Sequence, residues 1–445
     1  MRIRPIFVVV VSLLLAGSSM AQAKTATVPP QYKIFDMGFV QGGDTGAQAF
    51  RISPNNVAVG RSLRSGGAQA FTWTLNGSIV GLPNLSGFPY CVANSANDSG
   101  ITVGVCATTV FGSGRVPVIW QNGTVTQLPL PSGETLGDAN AVNAAGNAVG
   151  SADAGSLQGA VIYSGGIGTW LSQTTSTGCF FRTAFDINNS NLVVGFGIDP
   201  SNAARNVGMI YHVGDTNASE VGSLPGGNGA LAFGVSNAGH VVGASMMNQG
   251  SGLPFVWTQA GGMVAIPLAD GTTQGAARGV NSAGWVVGTD SSAFAIPFLY
   301  DGTATYRVAD LIPSGTGWDL STNTSSSAMG ISEDNVIVGT GMFGGAVHAY
   351  AMVPVKNISI SGRVTTAAGV GIRNAVVTIS GGDLTTPIRS LSNGFGYFTF
   401  PISHGLHSAE TYTLTIASKR FTFTPSTQTI TAVNDVSDLS FVADQ

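Results

Sequence analysis

The chain is punctuated by a twelve-residue phrase in which bulky and small positions alternate, break at a polar turn and resume. It is clearest in AFGVSNAGHVVG, from Ala232 to Gly243. Six further copies keep the same internal spacing: AFRISPNNVAVG (Ala49 to Gly60), ANSANDSGITVG (Ala93 to Gly104), ANAVNAAGNAVG (Ala139 to Gly150), AFDINNSNLVVG (Ala184 to Gly195), ARGVNSAGWVVG (Ala277 to Gly288) and AMGISEDNVIVG (Ala328 to Gly339). All open on Ala and close on Val-Gly, and successive closing glycines lie 44 to 51 residues apart. A period in that range marks a repeat fold, most often a β-propeller or a solenoid.

Within the phrase, Phe233 and Val235, Phe185 and Ile187, and Met329 and Ile331 alternate with small residues. That period of two predicts a strand with one bulky and one small face. A four-residue turn follows, as in Asn143-Ala144-Ala145-Gly146 or Asn281-Ser282-Ala283-Gly284. Asn or Ser at its start can hydrogen-bond nearby backbone, and Gly at its end accepts a positive φ. After the second strand and a variable loop, a third strand ends in Trp73, Trp120, Tyr163, Tyr211, Trp257 or Tyr300, with Met352 in the seventh copy. A tight turn such as Asn76-Gly77 then leads into a fourth strand. Four antiparallel strands per repeat make one propeller blade, and the recurring aromatics read as packing between blades.

The two ends of the array complement each other. Tyr32 to Gly38 reads as a fourth strand with no repeat before it, while the seventh copy stops after HAYAMVP. Paired, they complete one blade, close the ring and remove exposed sheet edges. Turns between strands one and two and between strands three and four are short. The other connections (RSLRSGGAQ, GIDPSNAARN, SMMNQGSG, QTTSTGCFFR, PSGTGWDLSTNTSSS) are long and varied, and they emerge together on the opposite face. Variable loops on a rigid scaffold are where binding usually resides. Trp318, alone in a polar loop of that face, is the candidate for contact with a sugar.

After Pro354 the rhythm gives way to alternating, Thr-rich text, ISISGRVTTAAGVGIRNAVVTISG, SNGFGYFTFPI and YTLTIASKRFTFTPSTQTITA, which predicts a small β-sandwich. At the other end, Arg2 and Arg4, an apolar run from Ile6 to Ala16 and Ala21-Gln22-Ala23 form a secretory signal. The run is shorter than the roughly 20 residues a spanning helix requires, and no later apolar stretch is long enough, so no transmembrane segment is expected after signal removal. The expected organisation is residues 1–23 signal peptide, 24–31 linker, 32–355 propeller and 356–445 sandwich.

Charge narrows the function. Without Arg2 and Arg4 the chain carries 16 basic and 22 acidic side chains and no basic patch, which argues against nucleic acid. Charged residues make up only 9% and Gly numbers 62, as suits short strands and tight turns. Three cysteines enter an oxidising destination. Cys91 and Cys106 flank one phrase symmetrically and are expected to form a disulfide across its hairpin, whereas Cys179 has no His or second Cys beside it and reads as an unpaired apolar residue.

The seven phrases and the third-strand aromatics resemble the secreted bacterial HAF-repeat family, with His348-Ala349-Tyr350 nearest its signature triplet. That resemblance implies an extracellular, propeller-like array and no catalytic residues to carry over. Ile358 to Val442 resembles the carboxypeptidase regulatory-like domain through ISGRVTTAAGVGIRNAVVTISG, SNGFGYFTF and FTFTPSTQTI. This implies a transthyretin-like sandwich without peptidase chemistry.

No sialidase aspartate box, quinoprotein blade pattern, G-x-S-x-G elbow, H-E-x-x-H pair or phosphate loop appears. His404, His407 and Glu410 read as a solvated loop rather than a zinc set. His212 and His240 lie within repeats, where packing or turn roles suffice. Loop carboxylates that could pair are Asp138, Asp153, Asp199, Asp270 and Asp290. The expectation is an all-β exported protein, a seven-bladed β-propeller followed by a small transthyretin-like β-sandwich, located extracellularly, at the cell surface or in the periplasm. It would bind a glycan or surface protein without catalysis, cofactor or metal. The alternative is a secreted hydrolase or lyase using carboxylates on the same face.

Overall fold

The computed structural model describes residues 28–444 except 111, 155–156, 248–251, 270–271, 273 and 292–293, so the expected signal peptide and Asp270 lie outside the described residues. Apart from two short 3-10 turns, Val308–Leu311 and Ile402–His404, the regular elements among the described residues are β-strands. The fifth repeat shows the plan. Gly227–Val235, Val241–Met247, Gly252–Thr258 and Gly262–Ala265 pair antiparallel in chain order. Repeats three, four and six also form four-stranded sheets, while one, two and seven join through single parallel bridges, Gly46↔Val347 and Ala68↔Tyr90.

The ends of the array meet. Tyr32–Asp36 runs antiparallel to Ala346–Pro354, in register from Tyr32↔Pro354 to Asp36↔Tyr350, and supplies the outer strand of the seventh sheet. Tyr32, Tyr350 and Met352 are buried there in one apolar cluster.

The phrase itself is a hairpin whose first and last letters face each other. Its opening Ala pairs with its closing Gly in every copy, Ala49↔Gly60 through Ala328↔Gly339, and every such Ala is fully buried. A Cβ on any of the seven glycines would lie 1.9–2.2 Å from the carbonyl oxygen of the residue preceding that Ala, closer than atoms can approach. The reason is a β-bulge. In each copy the ladder skips the second residue, Phe50, Asn94, Asn140, Phe185, Phe233, Arg278 or Met329. The simple period of two is therefore broken, because one extra residue on the bulged strand faces a single partner. Phe233 and Val235 do not occupy one continuous face of a regular strand, and the skipped side chain is free to point elsewhere.

The seven polar turns are alike. In each, the N–H of the first residue donates to the carbonyl four residues on, as Ser53 to Val57 (2.9 Å) and Asn188 to Leu192 (3.1 Å). The fourth residue is Gly or Asn at positive φ, Asn191 at 61° and Gly239 at 84°. Where the first residue is Asn, its Oδ1 accepts backbone N–H groups of its own turn, and its Nδ2 donates to the next repeat's turn. Asn97 reaches Asn143 O (3.0 Å), Asn143 reaches Asn188 O (3.2 Å), Asn188 reaches Ser236 O (2.9 Å) and Asn281 reaches Ser332 O (3.1 Å). Four pairs of successive repeats are thus stitched turn to turn.

Past Pro354, two sheets enclose a second core. One orders Tyr397–Phe400, Ile360–Thr365 and Val436–Val442, the last two strands parallel. The other orders Ile388–Leu391, Val376–Gly381, Thr411–Ala417 and Thr427–Thr431. Ile360, Val377, Ile379, Phe398, Phe400, Tyr412, Leu414 and Phe441 are buried between them, so alternation in YTLTI does sort apolar from Thr side chains. This unit rests on the tight-turn rim. Asn76, in a turn between strands three and four, donates Nδ2 to Thr431 O (2.8 Å) and accepts from Thr431 N (2.9 Å), while Lys33 pairs with Glu410 at 3.1 Å.

Candidate functional site

The seven bulges converge on one axial region. One cavity, of about 210 Å³, is lined by all seven skipped residues together with Arg51. A second, of about 110 Å³, continues toward the tight turns and is lined by residues from every repeat, among them Arg51, Ser95, Asn143, Asp186, Asn188 and Arg278. Sequence spacing does not locate this axis, because the bulged position that lines it varies in identity from Phe to Asn, Arg and Met.

Charge at the axis is asymmetric. Arg51 of repeat one forms an ion pair with Asp186 of repeat four, crossing between non-adjacent repeats, and its Nη2 also donates to Phe185 O (3.2 Å). Asp186 additionally accepts from Ile187 N and Val235 N, both at 2.9 Å. Arg278 lies over the Phe233 ring at 4.2 Å and has no carboxylate or carbonyl acceptor among the described residues. Burial pushes its pKa down from the ordinary value, yet a guanidinium stays charged under any ordinary condition. Arg61 lies over Phe50 at 5.7 Å and bonds Gln48 Oε1 through Nε (2.8 Å), again without a carboxylate.

On the long-loop face the carboxylates singled out from sequence are tied down within or beside their own repeats. Arg115 holds both Asp138 (3.5 Å) and Asp153 (2.5 Å). Burial raises the Asp138 pKa, opposed by hydrogen bonds from Ser151 and by Arg115. Arg205 likewise holds Asp199 (3.0 Å) and Glu220 (2.9 Å), and Asp44 is held by Arg64 (3.1 Å). Asp290 accepts a hydrogen bond from the Thr272 hydroxyl.

Trp318 is not alone. It pairs across a strand with Phe343, stacks on that ring at 4.9 Å, meets Tyr350 and His348 edge-on, and lies close over Gly341. Half-buried, it belongs to an aromatic cluster with Phe39 and His348, the latter hydrogen-bonded to Asp36 (2.9 Å). Of the third-strand aromatics, Trp73, Trp120, Tyr163 and Tyr211 are buried, while Trp257 and Tyr300 are half-buried. Trp257, His212 and His240 line a groove between repeats four and five, where the turn from His212 to Ser219 is longer than its counterparts.

Cys91 and Cys106 sit directly opposite in the ladder and are joined in a disulfide. Cys179 is buried and unpaired, with its Sγ 3.5 Å from Glu220 Oε1, a setting opposite to the cationic one that activates a thiolate. His407 pairs with Asp383 (2.9 Å) and Glu410 is engaged by Lys33, so the expected loop residues have separate partners. Among the described residues, no three His, Cys, Asp or Glu side chains converge as a ligand set. No helix among them is long and apolar enough to cross a membrane.

No family model matches the chain, and no curated protein does. It is similar to solved structures at low identity. One is described as YCF48 bound to D1 peptide (11% identity, TM-score 0.44, 73% of this chain and 97% of that one). Another is a gluconolactonase from Xanthomonas campestris (11%, TM-score 0.35, 74% and 96%). A third is an acylaminoacyl peptidase from Pyrococcus horikoshii (12%, TM-score 0.35, 71% and 52%).

Proposed function

We propose that the seven repeats are the blades of a closed β-propeller of the HAF-repeat kind, and that residues 356–445 form a transthyretin-like sandwich of the carboxypeptidase regulatory-like kind. The protein is exported and binds a surface glycan or surface protein, without catalysis, through the long-loop face. One observation carries this reading: the carboxylates Asp138, Asp153, Asp199 and Glu220 on that face are locked onto Arg115 and Arg205. Hydrogen bonds from Ser201 and Arg205 hold the Asp199 pKa down, and those from Thr177 and Arg205, outweighing burial, do the same for Glu220, so these two are poor proton acceptors and support loop shape. Docking of the second unit on the opposite rim supports the same choice of face, since it leaves the long loops uncovered. Trp318 and Phe343 supply the aromatic surface there for a sugar ring.

The test is a glycan array and a surface-protein pull-down with the mature chain, run beside a panel of hydrolase and lyase substrates. Saturable binding without turnover is expected. Turnover abolished by Asp153→Asn or Asp199→Asn would overturn the reading.

A further inference from the structure

We propose that the axial cavity is a binding site for one small organic anion, a carboxylate with an aromatic or aliphatic body, seated on Arg278. The proposal stands apart from the loop-face reading. Arg278 is half-buried and lines the axial cavity, and Asp186, which lines the adjoining one, is engaged by Arg51 and two backbone N–H groups. Its contact with the Phe233 face covers one side of the guanidinium plane and leaves the edge N–H groups without an acceptor. Those groups present the planar fork that matches a carboxylate bidentately. The cavity itself is lined by Arg51 and Arg278 and by no carboxylate, and Arg51 is paired with Asp186, so Arg278 is the cation left to meet a carboxylate arriving there; Asp98 and Glu333 line the adjoining cavity.

Size and lining fix the rest of the ligand. The cavity measures about 210 Å³, and roughly 150 Å³ suffices for a benzene-sized ring. A ring or short chain carrying one carboxylate therefore fits. Phe185, Phe233 and Met329 give the apolar body its walls, so an inorganic anion would leave most of the cavity unfilled.

Isothermal titration of the mature full chain with phenylacetate, benzoate and hexanoate tests the site, with phenylacetamide as the uncharged isostere. At least one carboxylate should bind with a stoichiometry of one, phenylacetamide should bind at least tenfold more weakly, and Arg278→Met should weaken the carboxylate by at least tenfold. Arg278→Met should leave loop-face binding on the array unchanged, which separates failure here from failure of the loop-face reading. Should Arg278→Met not fold, Phe233→Leu together with the acid and amide pair decides. The proposal is overturned if none of the three carboxylates binds, if the amide binds equally well, or if neither variant changes affinity.

Discussion

Replacing Asn188 separates two tasks that one buried side chain performs. Its Oδ1 accepts from Ser190 N (3.0 Å) and Leu192 N (2.9 Å) within its own turn, and its Nδ2 donates to Ser236 O (2.9 Å) of the next repeat. Three copies of the turn begin with Ser, and there the hydroxyl serves the turn without a stitch: Ser53 with Val57 N, Ser236 with His240 N and Ser332 with Val336 N, each at 3.1 Å, Ser332 also accepting from Asp334 N at 3.3 Å. Asn188→Ser should therefore retain the turn and lose the stitch. Since Ser236 O still receives Gly239 N (3.0 Å), the loss is that of one hydrogen bond if the hydroxyl serves two turn N–H groups, as Ser332 does, and of two if it serves one, as Ser53 does, about 1–2 kcal/mol. Asn188→Ala removes all three bonds and should destabilise by about 3 kcal/mol. Urea unfolding of the mature chain followed by tryptophan fluorescence, compared at constant slope, measures both. Equal destabilisation by Ser and Ala would mean the turn contributes nothing, and a Ser variant as stable as the parent would mean the stitch does not. Either result refutes the division of labour.

Gly243→Ala places a Cβ 1.9 Å from Leu231 O, a backbone atom with no freedom to swing aside. Destabilisation beyond roughly 4 kcal/mol and loss of soluble yield are expected, whereas Gly42→Ala, with nothing within 4 Å, should leave the melting temperature unchanged. Reducing the Cys91–Cys106 bond, which closes a sequence separation of 15, should lower stability by about 3 kcal/mol. The urea midpoint in reductant should match that of the Cys91→Ser, Cys106→Ser double variant measured without it.

The hairpins, the closing strand and the disulfide could be read in the chain because each depends on residues close in sequence or on a strict repeat. Ala232 and Gly243 mark their own pairing, and Cys91 and Cys106 are symmetric about one turn. The bulge escaped that reading because a skipped residue leaves the spacing of Phe233 and Val235 looking regular, although the ladder moves from Ala232 directly to Gly234. The axial ion pair joins residues 51 and 186 across the ring, a distance no local pattern encodes. Trp318 looked isolated because its sequence neighbours are polar, while its packing partner Phe343 arrives from a later strand. The long-loop carboxylates were recognised as residues, but the arginines that hold them, Arg115 and Arg205, carry no motif.

The pairing of Tyr32–Asp36 with Ala346–Pro354 also orders events in time. During synthesis the opening strand emerges more than three hundred residues before the segment it must join, so every intermediate has a raw, unzipped edge at each end. The two ends cannot pair before residue 354 has been made, and a chain stalled short of it would offer its unmatched border to other copies of itself.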